Sequence, residues 1–376
     1  MFITLLIAAL VASTLYYVFF FVRVQIGLKR LRPPVQSPGD ASFVSVVVAA
    51  RNEESTIAGC VGRILNQQYN PGLELIVVND NSSDATESIL RKIADERPNL
   101  RIVTLANDRE AGSGGKPVAI SAGVDAARGD IVATTDADCV VPPTWVRTMV
   151  NYLEPGVALV SGPVREETDE AFISRIGHLE LLGLITTAAG LIGANHPIIC
   201  NGANLAYRKS AFLAALGDTR NQGWCDDDTL MQRIHVKRLG KIVFAASPDA
   251  VVTTSSKSSI TGFWKQRLRW SAMGGHHEQS TTLISVVGLY VFFVLLLAVL
   301  VLSLSFPELC IWFVLSLAVK IVVDYTTLAA GARLLLDFVS IPVFLVAQLF
   351  HVPYIVVTAA LGQLAPLNWK GRRLNS

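Results

Sequence analysis

Apolar residues crowd both ends of this chain and thin out in the middle, and that distribution constrains its fold more than any other feature. Phe2 to Val22 carry no charge, in a run long enough for a bilayer-spanning helix, which needs about 20 apolar residues. The basic residues Arg23, Lys29, Arg30 and Arg32 follow the run instead of preceding it. A secretory signal has the reverse order and a small-residue cleavage site, so the segment reads as an uncleaved anchor. The excess of Lys and Arg after it places the next domain in the cytoplasm, with the anchor in a cell inner membrane. Three more apolar runs follow residue 280. Leu283 to Phe306 is uncharged, and Leu309 to Ala332 holds Lys320 and Asp324 one helical turn apart, able to pair. Leu334 to Leu364 contains Asp337, Pro342 and Pro353, which predict a kink or break. Four full spans starting outside would leave the basic "WKGRR" (369–373) outside. Either the last segment is re-entrant or one run lies along the interface.

At 51% hydrophobic and 16% charged residues, the chain is far from the roughly one-quarter charged composition of soluble domains. A net charge of +2 gives no support to nucleic-acid binding. The cysteines are scattered with no CxxC spacing, which disfavours a disulfide framework or zinc site and suits a reducing compartment. The sequence therefore divides into an anchor with its basic flank (1–32), a cytoplasmic domain (33–281) and a membrane region of about three helices (282–376).

In the middle region, "SFVSVVVAA" (42–50), "LELIVVND" (73–80), "RIVTL" (101–105) and "DIVATTD" (130–136) read as buried strands. Helical patterns near Glu54–Asn66, Asp84–Ala94 and Lys116–Ala127 separate them, which implies βαβ units and a mostly parallel α/β sheet. Ligands of such sheets sit beyond the carboxyl ends of the strands. Those ends read "AARNEE" (49–54), "NDNSSD" (79–84) and "TDADC" (135–139). Any one of them can be a helix cap, as Asp84 with Glu87 illustrates. Three that converge on one crevice point to a site. Mg or Mn takes hard oxygen ligands, one or two carboxylates plus substrate phosphates, so of Asp136 and Asp138 one can hold a metal and the other the sugar or ribose. Lys116 follows a glycine run that lacks the GxxxxGK[ST] spacing, which excludes a P-loop NTPase.

In this order, "ARNEE", "NDNSSD", "GGKP", "TDADC", "CDDD" and "QRLRW", followed by apolar helices, resemble the membrane-bound family 2 inverting glycosyltransferases, of the lipid-glycosylating type such as ceramide or carotenoid glucosyltransferases. The resemblance covers about residues 42–270, and its most specific piece is Q-x-x-R-W, here Gln266, Arg269 and Trp270. It implies a GT-A, Rossmann-like catalytic domain and the following roles. Ala49, Arg51 and Glu53 line the nucleotide pocket, and Asp80 bonds the uracil of a UDP-sugar. Lys116 approaches the diphosphate or nucleoside, Asp136 faces the donor, and Asp138 ligates Mg or Mn. Gln266, Arg269 and Trp270 bracket the pyrophosphate and the acceptor end. The general base lies in "CDDD" (225–228), where Asp227 is preferred, then Asp226, then Asp228. Gly202 and Asn204 in "CNGANLAYRK" (200–209) sit near the sugar or form a plain turn, and Trp224 stacks on a sugar or simply packs.

The expected reaction is transfer of one sugar, glucose by preference, to the hydroxyl of a membrane lipid or hydrophobic alcohol. The apolar, Ala- and Gly-rich 173–197 segment reads as an interfacial helix beside a lipid entry. It contains His178 and Glu180, neither expected to be catalytic. A processive synthase of cellulose, chitin or hyaluronan type is the alternative reaction. A transporter or scaffold with a degenerate domain is the alternative class, and it is opposed by the intact motif set.

Overall fold

The computed structural model describes residues 1–34, 42–105, 115–217, 227–256, 259–273, 280–335, 337–364, 368–369 and 372–373. The chain opens with helix α1 (Phe2–Leu28), then alternates β1 (Val44–Ala50), α2 (Ile57–Leu65), β2 (Leu73–Asn79), α3 (Thr86–Glu96), β3 (Leu100–Thr104), α4 (Lys116–Ala126) and β4 (Ile131–Asp136). The predicted strands and helices of this half are all present, with ends shifted by a few residues. The second half is less regular. It runs through β5 (Cys139–Val140), α5 (Trp145–Asn151), β6 (Val157–Ser161), β7 (Val164–Glu167), α6 (Phe172–Gly193), β8 (Leu205–Arg208), α7 (Lys209–Leu216), α8 (Asp227–Val236), β9 (Lys241–Phe244) and β10 (Val252–Ser255). Four helices follow, α9 (Ile260–Met273), α10 (Ser280–Leu302), α11 (Leu309–Leu335) and α12 (Ile341–Leu364), and after them a short antiparallel pair, β11 (Asn368–Trp369) with β12 (Arg372–Arg373).

Seven strands form one sheet in the order β3-β2-β1-β4-β8-β6-β9. Every pairing is parallel except those of β8 with β4 and β6. Strands covered on both faces need apolar side chains at successive positions, and Val44, Val46, Val47 and Val48 of β1 and Leu75 to Val78 of β2 are wholly buried. Each such side chain contributes about 1.5–3 kcal/mol of burial. The one charge in that run, Glu74, is inaccessible but held by Ser45, Arg101 and Arg128. Because β8 alone runs backwards, its amino-terminal end lies at the same edge as the carboxyl ends of β1, β2 and β4. A smaller sheet, β5-β10-β7, lies beside it.

Among the described residues, five helices (α1, α6, α10, α11, α12) are long and apolar enough to cross a membrane. One of them departs from the rest. Two thirds (67%) of the apolar window of α6 is buried inside the protein, against 22–28% for the others. Both ends of α6 also return to the α/β layer. Near its start, His178 bonds the Glu166 carbonyl of β7 at 2.9 Å. Just past its end, Gln232 of α8 donates to the Ile198 carbonyl at 2.8 Å. A span would leave those ends about 30 Å apart across a bilayer. α6 is thus a largely buried platform between the α/β layer and the helices α1, α11 and α12. Its glycines explain the fit, since Gly190 and Gly193 meet the backbone of Val24 and Gly27 in α1 with no room for a Cβ.

The last apolar run is interrupted between Leu335 and Ile341, close to Asp337, and not at Pro353. α12 is continuous through Pro353, because neighbouring helices can compensate the single lost backbone bond. Pro342 falls in its first turn, where the missing N–H has no helical partner. Tyr354, thirteen residues into α12, still reaches back to Glu180 of α6, so this helix is tied to the platform. No disulfide joins the described cysteines.

Candidate active site

Strand register builds the crevice. Ala49 pairs with Asp136, and Ala50 with Asn79, so the ends of β1, β2 and β4 lie level. The turns beyond β1 and β2 are zipped together. Arg51 donates to the Asp80 carbonyl at 2.8 Å, and the Glu53 amide donates to Thr86 at 2.8 Å. Glu54 and Asp84 each accept from the other turn's backbone. Asp84 also accepts from the Thr86 amide at 3.0 Å, which is the helix-capping role considered for it. Asp80 is 3% exposed at the floor of the crevice.

Asp136 and Asp138 stand at the end of β4. Their carboxylate oxygens and the Cys139 sulfur lie within 4.8 Å of one another. The oxygens suit a hard divalent cation. Such a cation prefers oxygen to a thiol, which leaves the aspartates as the candidate ligands. Lys116, at the first position of α4, reaches Asp136 at 2.7 Å and Asp227 at 3.6 Å. Burial opposes its charge, but Asp136 and Asp227 together outweigh that and hold the ammonium charged.

Of the three consecutive aspartates, the two that are described diverge. Asp227 opens α8 and faces Lys116. Asp228 accepts from the Cys200 amide at 2.6 Å and so braces the turn before β8. Asp226 and Trp224 lie outside the described residues. Gly202, brought to this edge by the reversed β8, abuts Asp227 so closely that a Cβ would overlap its carboxylate.

Asn204 is not a sugar contact. It is fully buried, donates to the Pro163 and Ala250 carbonyls at 2.7 Å each, and accepts from the Trp145 indole at 2.9 Å. It uses all its polar atoms to join the two sheets' connections.

The "QRLRW" stretch lies on α9. Arg269 is half-buried; burial lowers its pKa, opposed by the nearby Asp136 and Asp138 carboxylates. That proximity brings the helix to the metal-type pair. Gln266 accepts from Arg267 at 2.6 Å, and the Arg267 guanidinium stacks 4.3 Å from the Trp270 ring centroid. Arg267 was not among the candidates, whereas Gly202 was. Nothing in sequence marks Arg267 beyond the signature beside it, whereas "CNGAN" did point to the right turn.

Residues 45–216 match the family model of glycosyl transferase family 2, and residues 131–362 match that of glycosyl transferase family group 2. The chain is 28% identical over 241 residues to a poly-beta-1,6-N-acetyl-D-glucosamine synthase of Staphylococcus epidermidis, taking in 62% of this chain and 54% of that protein. It is 28% identical over 266 residues to the synthase of the same name from Staphylococcus aureus strain COL, covering 69% of this chain and 60% of that one. The alignments thus span little more than half the length of these curated relatives. Among solved structures, the fold is similar to a mannosyltransferase from Pyrobaculum calidifontis in complex with GDP-Man and Mn2+. The TM-score is 0.57 at 21% identity, covering 96% of this chain and 99% of that one. The likeness to that structure is one of fold, a GT-A sheet with attached apolar helices. By the match over residues 131–362, the chain belongs to glycosyl transferase family group 2.

Proposed function

We propose that this protein transfers a single sugar from a UDP-sugar to the hydroxyl of a membrane lipid or other hydrophobic alcohol, with inversion and with Mg or Mn bound. The reading rests on one observation above all: Lys116 lies between Asp136 and Asp227, so a cation, a metal-type carboxylate pair and a carboxylate base share one crevice. In the reaction the acceptor oxygen attacks the anomeric carbon and its proton passes to Asp227. The bond from that carbon to the diphosphate oxygen breaks, and its electron pair leaves with the nucleotide. Asp138, with Asp136, would hold the metal, which supplies charge neutralisation for the departing diphosphate. Lys116 and Arg269 add positive charge there. Ala49, Arg51, Glu53 and Asp80 form the nucleoside end, and Gln266 and Trp270 the acceptor end. The basic flank after α1 favours a catalytic layer on the cytoplasmic side.

The names of the staphylococcal relatives favour a second reading, extension of a polysaccharide. Incubating the purified full chain with labelled UDP- and GDP-sugars, Mg or Mn, and a lipid extract separates the two. Label in a discrete lipid supports single transfer, and label in a high-mass polymer replaces it with extension. Asp227→Asn is expected to cut turnover by about 10²–10⁴ and leave nucleotide binding intact; near-normal turnover rules Asp227 out as base.

A further inference from the structure

We propose that Arg267, inside the signature but not one of its three defining residues, is a positioning residue that sets Gln266 and Trp270, and that Glu180 of α6 and Tyr354 of α12 hold it in place. The inference rests on the sugar-transfer reading above. Arg267 is 3% exposed, an unusual place for a guanidinium unless every donor is matched. Phe263, Arg267 and Trp270 fall at i, i+4 and i+7, so they share one face of α9. The guanidinium lies 4.3 Å from both ring centroids, clamped between them. Its Nε donates to Glu180 at 2.7 Å, its Nη1 to the Gln266 amide oxygen at 2.6 Å, and its Nη2 to the Gly177 carbonyl at 3.4 Å. The other Glu180 oxygen accepts from the Tyr354 hydroxyl at 2.7 Å.

Two signature side chains are therefore held by Arg267 itself, one through an amide oxygen and one through a ring face. Lysine cannot reproduce this set, because an ammonium has neither the planar fork nor the stacking face. Gly177 is part of the same arrangement, since a Cβ there would meet the Glu166 carboxylate. Neither Glu180 nor Tyr354 belongs to the α/β layer's strand ends. The seat of α9 over the crevice is thus fixed by the platform helix and by a membrane helix.

The test uses the full chain in nanodiscs, unaltered and as Arg267→Lys, Glu180→Gln and the double variant, with two readouts. One is steady-state transfer from whichever labelled UDP- or GDP-sugar the incubation with lipid extract identifies as donor. The other is the fluorine spectrum of protein carrying fluorinated tryptophan, with the Trp270 resonance assigned by Trp270→Phe. Arg267→Lys is expected to lower kcat on the order of 10²-fold, the scale of a small misplacement. Donor KM should stay within about threefold, because the lost interaction is one made in the transition state. Glu180→Gln should lower kcat less, and the double variant should be no worse than Arg267→Lys alone. The Trp270 resonance should move in both single variants. A kcat within about twofold of the unaltered chain, or single-variant losses that multiply in the double, overturns the positioning role. If the unaltered chain transfers no sugar from any donor, the reaction is what fails. An unmoved Trp270 resonance in Arg267→Lys and Glu180→Gln then overturns the positioning role on its own, and a moved one upholds it.

Discussion

Asp227 owes its place to a neighbour that has no side chain. Gly202 sits where an added methyl would overlap the Asp227 carboxylate, and only the far end of that side chain would need to move. Gly202→Ala should therefore leave the fold intact while displacing the proposed base. We expect turnover to drop on the order of 10²-fold, with nucleotide affinity and melting temperature close to those of the unaltered protein. Unchanged turnover would mean that the position of Asp227 does not matter to the reaction. At this scale the sequence was informative where a residue's chemistry and its place at a strand end coincide, as for Asp136 and Asp138. It was silent where the role arises from contact between distant segments. The family resemblance of "CNGANLAYRK" left Asn204 open as a sugar contact or part of a turn, but Trp145, Pro163 and Ala250, from three separate stretches, take up its amide oxygen and nitrogen.

Elements were legible in proportion to their regularity. The parallel strands β1 to β4 announce themselves as β-branched runs ending in polar turns, whereas β5, with two residues, and β7 and β10, with four each, carry no period to detect. The pairing of Lys320 with Asp324 was expected from their spacing and is present at 2.7 Å. The expectation was too small. Lys320 also bonds Gln348 at 2.6 Å and His351 at 2.8 Å, while Asp324 accepts from Gln348 at 3.0 Å and from the Tyr17 hydroxyl. One buried polar knot thus joins α1, α11 and α12, and three of its members come from segments that read as plain apolar helix. Charges buried in an apolar layer are tolerated when paired, and removing one partner strands the other at a cost of about 3–5 kcal/mol. Lys320→Met should lower the melting temperature of the purified protein sharply, and adding Asp324→Leu should recover much of the loss. If Lys320→Met alone melts like the unaltered chain, the knot does not set the register of these helices.

The molecule as a whole is two layers that share their packing. Ala332 and Leu335, from the end of α11, belong to the same buried cluster as the strands of the large sheet, and Gly331 admits Thr186 of α6 where a Cβ would overlap it. The seam with α1 is tighter still, since Gly27, Gly190 and Gly193 bring two helix backbones into contact. Small residues that allow backbones to meet are how apolar helices associate without a hydrophobic driving force between them. The sequence showed α6 as long, apolar and rich in Gly and Ala, but composition alone gives the same signal for a helix on a membrane, in one, or under one. What decides is that its ends are tied to β7 and α8. Gly190→Val would press a side chain into the Val24 backbone, which cannot yield without parting the layers, so overpacking of at least about 1–3 kcal/mol is expected. Gly62→Ala in α2, where an added Cβ meets nothing within 4 Å, should instead stabilise by about 0.5–1 kcal/mol. Melting of both variants in the same detergent measures the contrast. If Gly190→Val melts no lower than the unaltered chain, the layers are not docked through this glycine seam, and α6 must be held by its tethered ends alone.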